Sequence, residues 1–157
     1  MTGVLFHGKT TTTVDAQGRV TLGRRIMERV RVERIPSFML VGSIDGCLYA
    51  YPYSIWEATA EKEFAESHPI LEPDRRDAER LYYVAEEVIP DKTGRILIPP
   101  DLREFAGLDK DVVVVGIRDR VEVWSVDRWT KRTARVGERF LKLASASDSR
   151  GTQIEGE

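Results

Sequence analysis

Apolar and polar positions follow the same plan in two parts of the chain. In the first part, two β-forming stretches flank a short polar turn, which predicts a hairpin. A stretch with apolar side chains at helical spacing follows, and then a second hairpin around an Asp-Gly turn. These elements are predicted at residues 9–14, 20–22, 23–30, 38–41 and 48–51. The same order returns later in the chain, which we interpret as two copies of one unit.

The second copy has the clearer hydrophobic signals. Residues 112–117 form a continuous apolar run, which is typical of a strand buried on both faces. Between the copies, helices are predicted from about 54 to 68 and from about 74 to 87. A last helix is predicted from about 126 to 143, with Trp129 and Phe140 facing inward. We therefore expect a first unit, a helical connection, a second unit, a C-terminal helix and a disordered tail, at residues 4–52, 53–87, 88–130, 131–144 and 145–157.

The turn of the first hairpin and its counterpart carry the same kind of pentad. Asp15-Ala16-Gln17-Gly18-Arg19 is matched 76 positions later by Asp91-Lys92-Thr93-Gly94-Arg95. The acid can accept bonds from backbone amides or hold the arginine, and the glycine can supply a positive φ. The arginine fork suits phosphate oxygens or the O6 and N7 edge of guanine. An ordinary turn salt bridge is the alternative, and duplication alone does not exclude it, because a duplicated fold duplicates its structural turns.

Charge is unevenly distributed along the 157 residues, although the formal net charge is only −2. Residues 1–35 contain seven basic and three acidic residues, a net charge of +4, and they include Lys9, Arg24 and Arg25. Residues 57–80 contain four basic and eight acidic residues, a net charge of −4. The basic pole therefore lies around the first hairpin, where a polyanion would be attracted.

The chain offers no pattern typical of a catalytic, cofactor or metal site. Cys47 is the only cysteine, and neither His7 nor His68 has ligand spacing to it. An arginine lies four residues after Asp15 and Asp91, and it would keep both carboxylates ionised and unsuited to proton transfer. No apolar stretch approaches the roughly 20 residues of a membrane span. We expect a cytoplasmic protein that is not an enzyme, with no cofactor, metal, membrane or small-molecule substrate.

Several motifs together resemble the MraZ family of bacterial transcriptional regulators. The string Asp-x-x-Gly-Arg before an apolar strand occurs twice at the separation typical of that family. The stretches Leu5-Phe6-His7-Gly8, Tyr51-Pro52-x-x-x-Trp56 and Arg75-Arg76-x-x-x-Arg80 also resemble it. The resemblance covers roughly residues 4 to 143, which is most of the chain.

The resemblance implies an α+β fold of the AbrB type. In that fold, tandem swapped-hairpin half-units form one pseudo-twofold β-barrel core with flanking helices. Such proteins are ring-shaped homo-oligomers that bind double-stranded DNA at direct repeats in the promoter of their own division and cell-wall operon. This implies a nucleoid-associated protein in which the DNA-binding residues are Arg19, with Asp15 and Gly18 shaping its turn, together with Lys9, Arg24, Arg25 and, as a secondary contact, Arg95. The alternative is an antitoxin-like protein-binding module, whose partner would capture the acidic helices or the tail.

The first half departs from the family pattern at two positions. Gly23 stands where a proline is usual, and Met27 stands where an arginine is common, whereas the second half keeps Pro99 and Arg103. We therefore expect the first short helix to begin less sharply and to lack one basic contact.

Overall fold

The computed structural model describes residues 5–65 and 73–155, with side chains described up to residue 146. This part of the chain contains eight strands and five helices. The strands are β1 (Lys9–Thr13), β2 (Arg19–Thr21), β3 (Phe38–Gly42), β4 (Leu48–Pro52), β5 (Glu86–Val88), β6 (Arg95–Leu97), β7 (Asp111–Ile117) and β8 (Arg120–Ser125). The helices are α1 (Arg24–Val32), α2 (Tyr53–Phe64), α3 (Pro73–Tyr83), α4 (Pro100–Ala106) and α5 (Val126–Glu155).

The chain forms two compact units, Met1–Val126 and Asp127–Glu157. All of the strands lie in the first unit, and the second consists of α5 beyond its first residue. None of the described helices is long and apolar enough to span a bilayer.

Strands from the two halves are exchanged across one antiparallel sheet. The six-stranded sheet has the order β1-β7-β8-β4-β3-β5, and β2 pairs with β6 in a separate two-stranded sheet. The first strand of each half thus pairs with the other half, with Thr11 opposite Val113 and Phe38 opposite Val88. The mixed α+β class is therefore confirmed. Because each half supplies a strand to the other, neither half contains a complete sheet.

The core lies between the paired strands of the two halves. Val20, Leu22, Ile96 and Ile98 are completely buried, and they come from equivalent positions of the two copies. The predicted apolar run is buried from Val112 to Gly116, with Val112 to Val115 all at most 7% exposed, whereas Ile117 at its end is half-buried. Burial of apolar side chains from both halves therefore supports the exchanged pairing.

The helices between the halves are shorter than the sequence predicts. The helix predicted to reach residue 87 ends at Tyr83, and Glu86–Val88 forms β5 instead. The backbone of these residues pairs with β3 and Val88 is buried, so tertiary pairing overrides the helical spacing of the local sequence. The other predicted helix is described as far as Phe64, and residues 66–68 of that prediction lie outside the described residues.

The C-terminal helix is longer than the sequence predicts. It continues to Glu155 and includes most of the segment that we expected to be a tail. Phe140, which we predicted to face inward, is 67% exposed, so that prediction is wrong. The helical spacing of its apolar residues is present, but the expected burial is not. The division of the chain into the five segments given above stays a prediction.

Truncating a core side chain should destabilise the exchanged sheet. Leu40 lies in β3 between β4 and β5 and is completely buried, so we expect Leu40→Ala to lower the free energy of unfolding by about 2–5 kcal/mol. Ile44 is 89% exposed, and Ile44→Ala should change it by less than about 0.5 kcal/mol. Urea unfolding followed by circular dichroism measures both. Equal effects of the two substitutions would contradict the described core.

Candidate nucleic-acid interface

The two arginine-bearing turns lie side by side. Arg95 Nη1 is 3.9 Å from Asp15 Oδ2, so an ion pair links one turn to the other. The backbone amide of Leu22 donates to the carbonyl of Gly94 at 2.8 Å, and Ile98 donates to Gly18 at 2.9 Å. Each turn is thus bonded to the strand that leaves the other turn. The fold brings Asp15, Gly18, Arg19 and Arg95 into one site.

Each turn has the backbone geometry that its pentad predicts. Gly18 and Gly94 have φ values of 86° and 81°, a region that side chains other than glycine rarely adopt. The amide of Gly18 donates to the Asp15 carbonyl at 3.0 Å, and Gly94 donates to Asp91 at 2.9 Å. Both glycines are therefore required by the turn conformation.

Asp15 holds the first turn and its arginine together. Its Oδ1 accepts bonds from the backbone amides of Gln17 at 2.9 Å and Arg19 at 2.8 Å. Its Oδ2 accepts from Arg19 Nε at 2.9 Å. Because the carboxylate bonds to Nε, the terminal amino groups of the guanidinium are the part that can meet a ligand. One of them, Nη2, also donates to Gln17 Oε1 at 3.3 Å.

The second turn repeats this arrangement with one addition. Asp91 Oδ2 accepts from Arg95 Nε at 2.9 Å, and Oδ1 accepts from the Arg95 amide at 3.0 Å. Thr93 donates to Oδ1 through both its amide and its hydroxyl, at 2.9 and 2.8 Å. The sequence offered two interpretations of the pentad, a turn salt bridge and a turn that positions an arginine. Both describe the same contact, because the carboxylate that pairs with the guanidinium also fixes its position.

The turn bonds also set the charge of the two carboxyl groups. The backbone amide of Arg19 is the largest cause of the lowered pKa of Asp15, and that of Arg95 is the largest cause for Asp91. Bonds from the arginine side chains lower both pKa values further. Both groups are therefore carboxylates at neutral pH, which suits the positioning of a cation and not proton transfer.

A side chain from the opposite half packs over each turn glycine. A methyl group on Gly18 would lie 3.0 Å from Arg103 Cζ, and one on Gly94 would lie 2.6 Å from Met27 Cγ. Arg103 Nε donates to the carbonyl of Ile98 at 3.1 Å, which fixes the guanidinium beside the first turn. We expected the first half to lack one basic contact because it has Met27. Since Met27 packs against Gly94, that basic contact is missing beside the second turn.

Arg103 belongs to the site and was not among its predicted residues. The sequence carried a partial signal, because the repeat aligns Arg103 with Met27 in the other copy. The repeat alone predicts that Arg103 contacts residues of its own half. Only the exchange of strands places it beside Gly18 in the first half.

The other predicted basic residues lie apart from the turns. Lys9 begins β1, six residues before Asp15, so it lies about 20 Å from the turn along the strand. Lys9, Arg24 and Arg25 instead share a cleft of about 460 Å³, which His7, Gly8, Thr10, Leu22 and Glu28 also line. The structure therefore divides the predicted DNA-binding residues into a turn site and a separate basic cleft.

The remaining candidate chemical groups do not form a second site. Cys47 is buried, and burial raises the pKa of its thiol to about 12, so the reactive thiolate is disfavoured. Within residues 5–65 and 73–155, no three potential metal ligands of the His, Cys, Asp or Glu type come together. His68 lies outside the described residues.

The fold and the site define a duplicated α+β protein that presents two arginine-bearing turns on one surface. The chain matches the family described as MraZ protein over residues 5–80 and again over residues 81–149. It therefore belongs to the MraZ family, as its motifs indicated.

Relatives from several bacteria match nearly the whole chain. A protein from Pelotomaculum thermopropionicum is 36% identical over 141 residues, which cover 89% of this chain and 93% of the relative. One from Acetivibrio thermocellus is 40% identical over 126 residues, covering 80% and 84%. One from Thermomicrobium roseum is 37% identical over the same length and coverage. Each of these relatives carries the name transcriptional regulator MraZ.

The lowered carboxyl pKa values predict a loss of stability in acid. A carboxyl group whose pKa is lower in the folded chain stabilises the fold fully above its unfolded value of about 3.9. That stabilisation is lost as the pH falls towards the folded pKa. We expect wild type to lose more free energy of unfolding between pH 7 and pH 3 than Asp91→Asn, which lacks this titration. Urea unfolding at the two pH values measures the difference.

Asp74 provides a matched control for this experiment. It is exposed in the first turn of α3, outside both pentads. Asp74→Asn should therefore keep the wild-type dependence on pH. A dependence in Asp91→Asn as steep as that of Asp74→Asn would contradict the role of the turn carboxylate.

Proposed function

We propose that the protein is a sequence-specific DNA-binding transcriptional regulator that reads double-stranded DNA with its first arginine-bearing turn. The observation that carries this proposal is the pair of adjacent turns in which a carboxylate holds each arginine by Nε. A two-stranded ribbon fits the major groove of DNA, and arginine is the commonest partner of guanine there. The names of the relatives support the same function.

The first turn is the better equipped of the two for an anionic ligand. It has Arg19 on its own strand and the Arg103 guanidinium beside Gly18. The second turn has Arg95, but Met27 occupies the place equivalent to that of Arg103. The Arg95 guanidinium also lies near the Asp15 carboxylate, which offsets part of its charge. We assign base reading to Arg19 and a secondary contact to Arg95.

The basic cleft would act at a distance from the bases. Lys9, Arg24 and Arg25 line a cleft that contains no residue of either pentad, and they suit phosphates that flank the contacted step. Phosphate contacts fix the orientation of a protein on the duplex and carry little sequence information. In this assignment the turn reads DNA and the cleft anchors the protein to it.

The finer architecture that we propose follows the family resemblance. We assign the exchanged strands to an AbrB-like swapped-hairpin β-barrel, which the pairing of β1 with β7 and of β5 with β3 supports. We also propose a ring-shaped homo-oligomer, associated with the nucleoid, that binds direct repeats in the promoter of its own division and cell-wall operon. A single turn makes few contacts, and non-specific binding alone gives Kd values of about 10⁻⁴ to 10⁻⁶ M. Several linked copies raise the avidity by roughly 10² or more.

Removing the reading arginine should weaken specific binding without unfolding the protein. We expect Arg19→Ala to weaken binding to a fragment from upstream of the protein's own gene by about tenfold or more, since one bidentate arginine–guanine pair contributes about 1–3 kcal/mol. Fluorescence anisotropy at several salt concentrations measures the affinity and its salt dependence. Arg31→Ala, at an exposed position near the end of α1, should bind like wild type. Wild-type affinity in a folded Arg19→Ala variant would contradict the proposal.

Exchanging the residues over the two glycines tests which turn is the reader. Arg103→Met gives the first turn the neighbour that the second one has, and we expect it to weaken binding several-fold. Met27→Arg adds a cation beside Gly94 instead, where we expect a smaller effect on affinity. Anisotropy with the same fragment compares the two variants, and thermal unfolding checks their fold. Tighter binding by Met27→Arg, together with wild-type binding by Arg103→Met, would assign the reading to the second turn.

A further inference from the structure

The C-terminal helix α5 has one charged side and one apolar side. Residues 126–146 contain six basic and two acidic residues, a net charge of +4. At 3.6 residues per turn, all eight charged side chains fall within an arc of roughly 140°. Val136, Phe140 and Leu143 lie together beside this arc, roughly 20° to 80° beyond one edge of it, at a spacing of four and three residues. The helix therefore has the pattern of an element that binds a partner through its apolar side.

This apolar side is open to a partner in the described structure. Phe140, Leu141 and Leu143 are 67%, 71% and 66% exposed, and Val136 is 39% exposed. Neighbouring apolar side chains that are exposed together usually mark an interaction site. The charge of the helix restricts the choice of partner, because two copies of α5 would bring together two segments of +4 each. An acidic partner surface is favoured.

The groove between α2 and α3 has the required chemistry. It is a cavity of about 500 Å³, and its apolar lining comes from Ala60, Phe64, Ala65 and Tyr83. Glu61 and Glu79 also line it, together with Arg80. Tyr83 is 52% exposed, so aromatic surface is available at this groove. The described residues of the two helices, 57–65 and 73–80, carry a net charge of −2, which is opposite in sign to that of α5.

We propose that α5 of one copy binds in the α2–α3 groove of a second copy, with Phe140 and Leu143 against Phe64 and Tyr83. The basic side chains of the helix then lie near the acidic residues of the groove. The two surfaces are different, so each copy can use its helix on one neighbour and its groove on another. Such heterologous contacts produce rings or filaments. This inference gives the self-association in the proposed function a specific contact and does not depend on the DNA contact.

Cross-linking between two different chains tests this contact. One chain carries Ala144→Cys, next to Leu143, and a large tag, and the other carries Ala65→Cys in the groove lining, so that the proposed contact side chains are kept. The native Cys47 is buried, so the introduced thiols are the accessible ones. After mixing without DNA and adding a short bismaleimide, we expect a product between the two chains that decreases as salt is added. Val32→Cys, on α1 and 64% exposed, replaces Ala65→Cys in the control and should give several-fold less product.

The outcomes separate this inference from the proposed function. Equal yields with Ala65→Cys and Val32→Cys would overturn it, and so would a product formed only within a single chain that carries both Ala144→Cys and Ala65→Cys. The three cysteine variants should still bind the promoter fragment, since none changes the turn site. A failed cross-link with intact DNA binding would remove only the helix contact. A successful cross-link with no DNA binding by wild type would remove only the DNA-reading function.

Discussion

The exchange of the first strands between the two halves is the constraint on which the rest of the structure depends. β1 pairs with β7 and β5 pairs with β3, so each half completes the sheet of the other. The pairing of β2 with β6 then sets the two turns beside each other, with Leu22 and Ile98 bonded to the opposite glycines. A surface with two adjacent arginines is therefore a consequence of the sheet topology, and no single half could present it.

The turn carboxylates both shape the two turns and position the two arginines. Asp15 and Asp91 each accept backbone amides and a guanidinium Nε, so one side chain both shapes the turn and positions the arginine. These positions are local, within four residues of one another, and the sequence alone predicted them. Because the carboxylates hold the arginines before any ligand arrives, less side-chain freedom remains to be lost when a ligand binds.

Features that depend on distant residues could be predicted less well. The pentads, the buried run at 112–117 and the doubled plan followed from local patterns. The contact of Arg103 with Gly18 could not be predicted in this way, because a repeat alignment does not say which half a side chain contacts. The replacement of a predicted helix end by β5 had the same cause, since its partner β3 lies some 45 residues earlier in the chain. For α5, the sequence predicted the helix but not the exposure of Phe140. Periodicity shows which side chains share a face of a helix, but it does not show whether another element covers that face.

Burial explains why the two copies are alike in some positions and different in others. Val20 and Ile96 are equivalent and both completely buried, as are Leu22 and Ile98, because the shared core needs an apolar side chain from each half. Positions outside the core carry no such requirement, and there Thr21 is matched by Leu97, which is 55% exposed. The positions of Met27 and Arg103 belong to this second kind, since both pack over a turn without being fully buried. The fold needs both copies, whereas the proposed DNA contact needs only one well-equipped turn, so the second turn can have Met27 in place of a cation while the sheet stays intact.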